Sequence, residues 1–154
     1  MKNRLYIVYG RNLSSKRMAA ICPTANPMAV ATLKDYQLVF QGGAHGVHAN
    51  VIPMKGQEVP VVIWELSEED EIHMDVDQGI GYGRCTKECV DIEVNGETLR
   101  ALIYVKDPRP GGIPTDRYLQ RMSEGYSDFD LPIKALNDAV SNAYKNTITN
   151  GSAQ

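Results

Sequence analysis

Five residues near the N-terminus carry the first chemistry legible in the chain, Tyr9-Gly10-Arg11-Asn12-Leu13. They follow a short apolar run rich in β-formers, residues 5–9, and lead into a helix start at Ser14. A strand that turns through a glycine into a helix start aims several backbone N–H groups at one spot, which favours a carboxylate or phosphate there. Such residues also form plain strand–helix connections that bind nothing. Arg11 adds a guanidinium able to grip an oxyanion with two parallel hydrogen bonds, or else to lie in solvent. Other constellations carry less. His45, His48, His73, Cys85 and Cys89 contain no zinc-like pair, so no metal site is expected. No Ser-His-Asp order or nucleophile elbow can be read. His45 and His48 sit in the glycine-rich stretch 41–48, read as a mobile surface loop in which solvent exposure outweighs contact with a ligand.

The elements that must position these groups follow from patterning. Residues 5–9 read as a buried strand closed by Gly10, and Asn12 and Ser14 can cap a helix over 15–21 that Pro23 ends. Residues 28–33 and 36–40 read as strands joined by a turn at Lys34-Asp35, residues 49–53 as a short strand, and 59–66 as a stronger one with Pro60 near its start. Ser67 with Asp70 resembles a capping box, opening an acidic helix that stops near Gln78-Gly79. Val90, Ile92 and Val94 alternate with polar neighbours before Asn95-Gly96, and 99–105 returns, which predicts a hairpin. Residues 107–114 are a loop. Thr115 begins a helix that Gly125 ends, and a last helix over 132–144 places Ile133, Leu136, Val140 and Tyr144 on one side. The order of elements predicts an α+β fold, a mixed β-barrel or curled sheet with helices packed outside. One domain over 1–146 with a polar, flexible tail at 147–154 accounts for the 154 residues.

Composition narrows the partners. A hydrophobic content of 43% is ordinary for a folded chain, and a net charge of -3 with no basic run argues against nucleic acid and anionic lipid. No stretch approaches the ~18–20 apolar residues of a membrane span. The apolar run after Arg4 is too short for a secretory core, and three cysteines cannot all pair, so reduced thiols in a cytosol (a host cytosol, if the source is a virus) are expected.

Three segments, in order, resemble the γ-glutamylcyclotransferase-like (AIG2-like) family. Tyr9-Gly10-Arg11-Asn12-Leu13 is similar to that family's Tyr-Gly-Ser-Asn-Leu loop, and Met74-Asp75-Val76-Asp77-Gln78-Gly79 to its Leu-Asp-x-x-Glu-Gly. Tyr118-Leu119, Met122 and Gly125-Tyr126 are similar to its late Tyr…Gly-Tyr helix. Ala49-Asn50-Val51 and the hairpin end Ala101-Leu102-Ile103-Tyr104-Val105 add weaker likenesses, so the match spans roughly residues 4–132. The resemblance implies a barrel of five or six strands with one pocket at its mouth and no cofactor. In active relatives a γ-glutamyl group there cyclises to 5-oxoproline and releases an amine or amino acid. It further implies that Tyr9, Gly10, Arg11, Asn12, Leu13, Tyr82, Tyr118 and Tyr126 line the pocket. Taken at face value, the three later tyrosines are half-buried packing residues.

Position 78 then decides the chemistry. Cyclisation needs the substrate's α-amino group to attack its own γ-carbonyl, and an ammonium has no lone pair for that. A carboxylate can take the proton and pass it to the leaving amine; Gln78 has nearly the same shape and no basicity. General acid–base catalysis is worth roughly 10²- to 10⁴-fold, so its loss should cripple turnover. Asp75, three residues back on the same helical side, is the better reserve base, and Asp77 points ~100° away. A laboratory Glu→Gln change and natural drift would each leave this glutamine. Arg11, Val76-Asp77 and Gly81-Tyr82-Gly83 also depart from the family pattern, which favours drift. The expectation is a protein that binds, and even sequesters, a small polar ligand without turnover, a γ-glutamyl compound or a nucleotide-like anion. The alternatives are a γ-glutamyl(amine) cyclotransferase with an inactivated or relocated base, and an interaction domain that makes no use of the loop.

Overall fold

The uninterrupted apolar run at residues 5–9 becomes β1 (Arg4–Val8), the central strand of five. Tyr6, Ile7 and Val8 are all buried, as befits a strand covered on both faces. The computed structural model describes residues 3–43 and 46–152. After β1 come α1 (Ser15–Ile21), β2 (Asn26–Gly43), β3 (Gly46–Leu66), α2 (Glu68–Gln78), β4 (Cys85–Val94), β5 (Glu97–Lys106), α3 (Asp116–Asp128) and α4 (Lys134–Ser152). Strand order is β2-β3-β1-β5-β4; β1 and β5 run parallel and every other neighbouring pair antiparallel. The fold is α+β with a mixed sheet, as expected, but the sheet stays open. Its edge strands β2 and β4 approach each other, yet a cleft lined by Val30, Tyr36, Val90 and Ile92 lies between them and no ladder joins them among the described residues.

Four predicted strand segments prove to be two long ones. Lys34-Asp35 is no turn but one side of a bulge in the β2–β3 ladder: the register slips between Lys34 and Tyr36, where Asp35 alone faces residues 54–57 of β3, Asp35 takes a φ of 64°, and its carboxylate accepts the Gly56 N–H at 3.0 Å. A bulge bends a strand without ending its pairing. Pro60 therefore lies inside β3, just past Val62, where the ladder with β1 stops and one side of the strand has no partner. Beyond the bulge the hairpin reaches the ends of β1 and β5. There the Asn50 carboxamide accepts the Lys106 N–H at 2.9 Å and donates to the Lys106 carbonyl at 3.2 Å.

The described part of the glycine-rich stretch, expected as a mobile loop, continues the ladder between β2 and β3. Gln41 pairs with His48, Gly42 N–H donates to the Pro110 carbonyl at 3.0 Å, and Gly112 N–H to that of Phe40 at 3.2 Å. Backbone ladders need no side chains, which is why composition misleads here. Residues 44 and 45, and with them His45, lie outside the described residues.

Helix starts follow the predicted caps. Ser14 Oγ accepts the Arg17 N–H at 3.3 Å and Ser67 Oγ the Asp70 N–H at 3.1 Å. Helix α2 ends at Gly79, whose φ of 72° suits a residue without Cβ. Gly125 does not end α3, which runs on to Asp128. A Cβ there would fall 2.3 Å from Leu13 Cβ, so this glycine lets the helix lie against the loop after β1. On α4 the buried line is Leu136, Ala139 and Ala143, while Ile133 and Tyr144 are each 47% exposed, a small rotation from the predicted face. The helix also continues through Ser152 where a polar tail was expected from Thr147. Extending an existing helix adds a hydrogen bond per residue without a new nucleation cost. No helix among the described residues is long and apolar enough to cross a membrane.

Candidate functional site

The loop after β1, the end of α2 and the end of β5 meet at one small cavity of about 40 Å³, room for a few water molecules. Tyr9, Gly10, Arg11 and Asn12 form one wall, and Gln78 and Lys106 another. His48 and Tyr118 close the outer side, and Tyr6 and Tyr104 lie at the base. Six of the nine residues singled out from the sequence therefore converge on it: Tyr9, Gly10, Arg11, Asn12, Gln78 and Tyr118. The other three lie elsewhere. Leu13 is fully buried against Gly125 and serves the core. Tyr126, 2% exposed, is also core, its hydroxyl without a partner. Tyr82 is 80% exposed on the 3₁₀ turn after Gly79 and meets the Arg84 guanidinium across its ring face.

The loop's amides are partly consumed by the loop itself. It forms a 3₁₀ turn over Arg11–Leu13 in which Leu13 N–H donates to the Gly10 carbonyl and Ser14 N–H to that of Arg11. The positive charge at the cavity comes from side chains instead. The Arg11 guanidinium lies 5.6 Å from the centre of the Tyr118 ring, a cation–π contact, and Tyr118 Oη accepts the Ala49 N–H at 2.8 Å. Gln78 is fixed at both ends. Its oxygen accepts from Lys106 Nζ at 2.9 Å, and its Nε2 donates to Asp77 Oδ2 at 3.1 Å. Arg17 ties that corner together, donating from Nη2 to Asp77 Oδ1 at 3.1 Å and from Nε to Asn12 Oδ1 at 2.8 Å.

The two aspartates trade the places expected of them. Asp75, the better reserve base on helical geometry, is not among the residues that line the cavity. It accepts Lys87 Nζ at 3.0 Å and the Tyr104 hydroxyl at 2.5 Å. Asp77 instead folds back onto Gln78, because Arg17 draws its carboxylate across the helix end. Lys106 and His48 are the site residues that sequence reasoning underrated. Lys106 was legible only as the residue after a β-hairpin; His48 was hidden by the glycines before it.

Charge around the cavity is lopsided. Arg11, Arg17, Lys106 and Arg84 all act on His48, whose imidazole burial and these cations together pull down to about 4, so it is neutral at pH 7. Burial also lowers the Lys106 ammonium; Cys85 and Asp77 oppose this, Arg11 and Arg84 add to it. Neither Lys106 nor Arg11 has a carboxylate within ion-pair distance among the described residues. Burial pushes the Tyr9 and Tyr118 phenols up, so they remain neutral hydrogen-bonding groups.

An open mixed sheet with a cationic cavity where the first strand turns into a helix defines the class of protein to look for. The family described as "Gamma-glutamyl cyclotransferase, AIG2-like" matches residues 6–127, and the chain belongs to that family. It is 27% identical over 156 aligned positions to the gamma-glutamylcyclotransferase of Bos taurus, covering 94% of this chain and 83% of that one. It is 26% identical over 140 positions to the one from Homo sapiens, covering 84% and 73%. A solved structure titled "Gamma-glutamyl cyclotransferase" superposes with a TM-score of 0.82 at 24% identity, over 90% of this chain and 86% of the other, and so shares the fold.

Proposed function

We propose that this protein holds a small anionic or γ-glutamyl-like molecule in the cavity between residues 9–12 and Gln78 and does not turn it over by the proton transfer that a carboxylate at position 78 would supply. The observation behind this is the double tether of Gln78. An amide that accepts from an ammonium and donates to a carboxylate is a fixed hydrogen-bonding strut, and it neither takes up nor releases a proton near neutral pH. Asp75 offers no rescue, since Lys87 and Tyr104 occupy its oxygens. Asp77 is paired with Arg17 and Gln78. Cys22, Cys85 and Cys89 are free thiols, consistent with a reducing compartment such as a cytosol.

The test is direct. Thermal-shift screening should show stabilisation by γ-glutamyl compounds, small dicarboxylates or nucleotides, since a ligand at ~100 times its dissociation constant adds ~2.7 kcal/mol. Assays for 5-oxoproline on γ-glutamyl amines and amino acids should stay at background, and appreciable release would overturn the claim. Gln78→Glu alone should also stay near background, because Lys106 would neutralise the new carboxylate. A gain approaching the ~10²- to 10⁴-fold of a general base would mean instead that one residue had been altered in an otherwise intact enzyme.

A further inference from the structure

Lys106 is half-buried at the cavity wall, and among the described residues the one hydrogen bond of its ammonium goes to a neutral oxygen, that of Gln78. A partly desolvated ammonium is costly unless a counter-charge is close, and none lies within ion-pair distance among the described residues: the nearest part of α2 presents an amide, and Asp77 beyond it is already held by Arg17 and Gln78. Arg11 faces the same cavity, also without a carboxylate, its cation leaning on the Tyr118 ring. His48 is neutral there and adds no negative charge. Among the described residues the cavity thus offers two positive charges without an ion-pair partner and no free negative one. A ligand group entering beside Gln78 meets Lys106 Nζ, which has three donors and has used one.

The geometry points to Lys106 as the residue that sets the ligand class of this cavity: with Arg11 it takes a carboxylate- or phosphate-bearing molecule and rejects one that brings an ammonium group to the Gln78 wall. This rests on the proposed binding cavity and names what enters it. A zwitterionic γ-glutamyl compound would place like charge against Nζ, whereas the same compound acylated on its α-nitrogen, or glutarate, would not.

Isothermal titration with three matched probes tests it: γ-glutamyl-methylamide, its N-acetyl derivative, and glutarate. With the unaltered protein the N-acetyl compound and glutarate should each bind at least tenfold more tightly than the zwitterion, with affinity falling as salt rises. Lys106→Met, which keeps the aliphatic stem, should collapse that preference to less than threefold, and Lys106→Arg should restore it. Far-ultraviolet circular dichroism confirms that each variant is folded; should Lys106→Met fail to fold, the salt dependence of the unaltered protein's preference and the Lys106→Arg result decide. Equal or tighter binding of the zwitterion to the unaltered protein would overturn the role given to Lys106 while leaving the cavity a binding site. Absence of binding by all three probes at millimolar concentration, with phosphate and a nucleoside monophosphate also inert, would overturn both.

Discussion

Lys87 on β4 reaches Glu71 at 2.6 Å and Asp75 at 3.0 Å, and Arg4 joins Glu71 at 3.3 Å. Lys106 on β5, at the other side of the same helix end, reaches a glutamine oxygen at 2.9 Å and no carboxylate. Burial lowers both ammonium groups, but around Lys87 the bonds from Glu71 and Asp75 outweigh it and leave that lysine above its ordinary value; Lys106 stays below. The first arrangement is closed: charges are matched within the protein and hold α2 to the sheet. The second has no matching carboxylate among the described residues, which is the charge the proposed ligand would supply. A cation's partners, more than its depth, separate a structural lysine from a binding one.

The strongest way to break that contrast is to give Lys87 the environment of Lys106. Glu71→Gln with Asp75→Asn leaves Lys87 and Arg4 uncompensated, and urea denaturation should show a loss of about 2 kcal/mol, reduced from the fully buried case by partial exposure. The converse gives Lys106 a partner. Gln78→Glu hands Lys106 a carboxylate but sets its second oxygen against Asp77 Oδ2, which now accepts from Gln78 Nε2, so attraction and repulsion offset and stability at pH 7 should change by less than about 1 kcal/mol, as read from urea denaturation.

A smaller effect comes from His48. Its folded pKa of about 4 lies below the ordinary 6.5, so between those values the unfolded chain binds more protons and stability falls as the solution is acidified. His48→Gln should flatten that limb, by about 0.5 kcal/mol at pH 5 once screening of a half-exposed group is allowed for, as read from melts across pH 4–7. Least of all, Lys106→Met should change ligand-free stability by under about 0.5 kcal/mol, since an unpaired ammonium is exchanged for an apolar chain. A large loss there would mean that Lys106, like Lys87, is structural.

Much of this was legible in the chain. The continuous apolar run of β1, the Ser14 and Ser67 caps, the Asn95-Gly96 turn and the glycine after Gln78 each state a local preference that the fold obeys. Bringing residues 9–12 and Gln78 to one place took the resemblance to the family's motifs, not these local signals. What patterning could not carry was long-range. Lys34-Asp35 has turn chemistry, yet the ladder on either side holds it as a bulge, and the bent hairpin then brings His48 to the cavity. Gly125 has the composition of a helix stop, but its use is set by Leu13, more than a hundred residues earlier. The directions of Asp75 and Asp77 depend on Lys87, Tyr104 and Arg17, none of which helical geometry names.

A terminal strand residue ordinarily frays, and Lys106 is the last of β5. Asn50 prevents this by copying a peptide group with its side chain, so both main-chain polar groups of Lys106 are clasped from a segment 56 positions away. The ammonium therefore swings from a stationary shoulder. When an anion arrives, the ordering left to accomplish at this lysine lies in its own four side-chain torsions, and preorganisation of this kind reduces the entropy surrendered on capture.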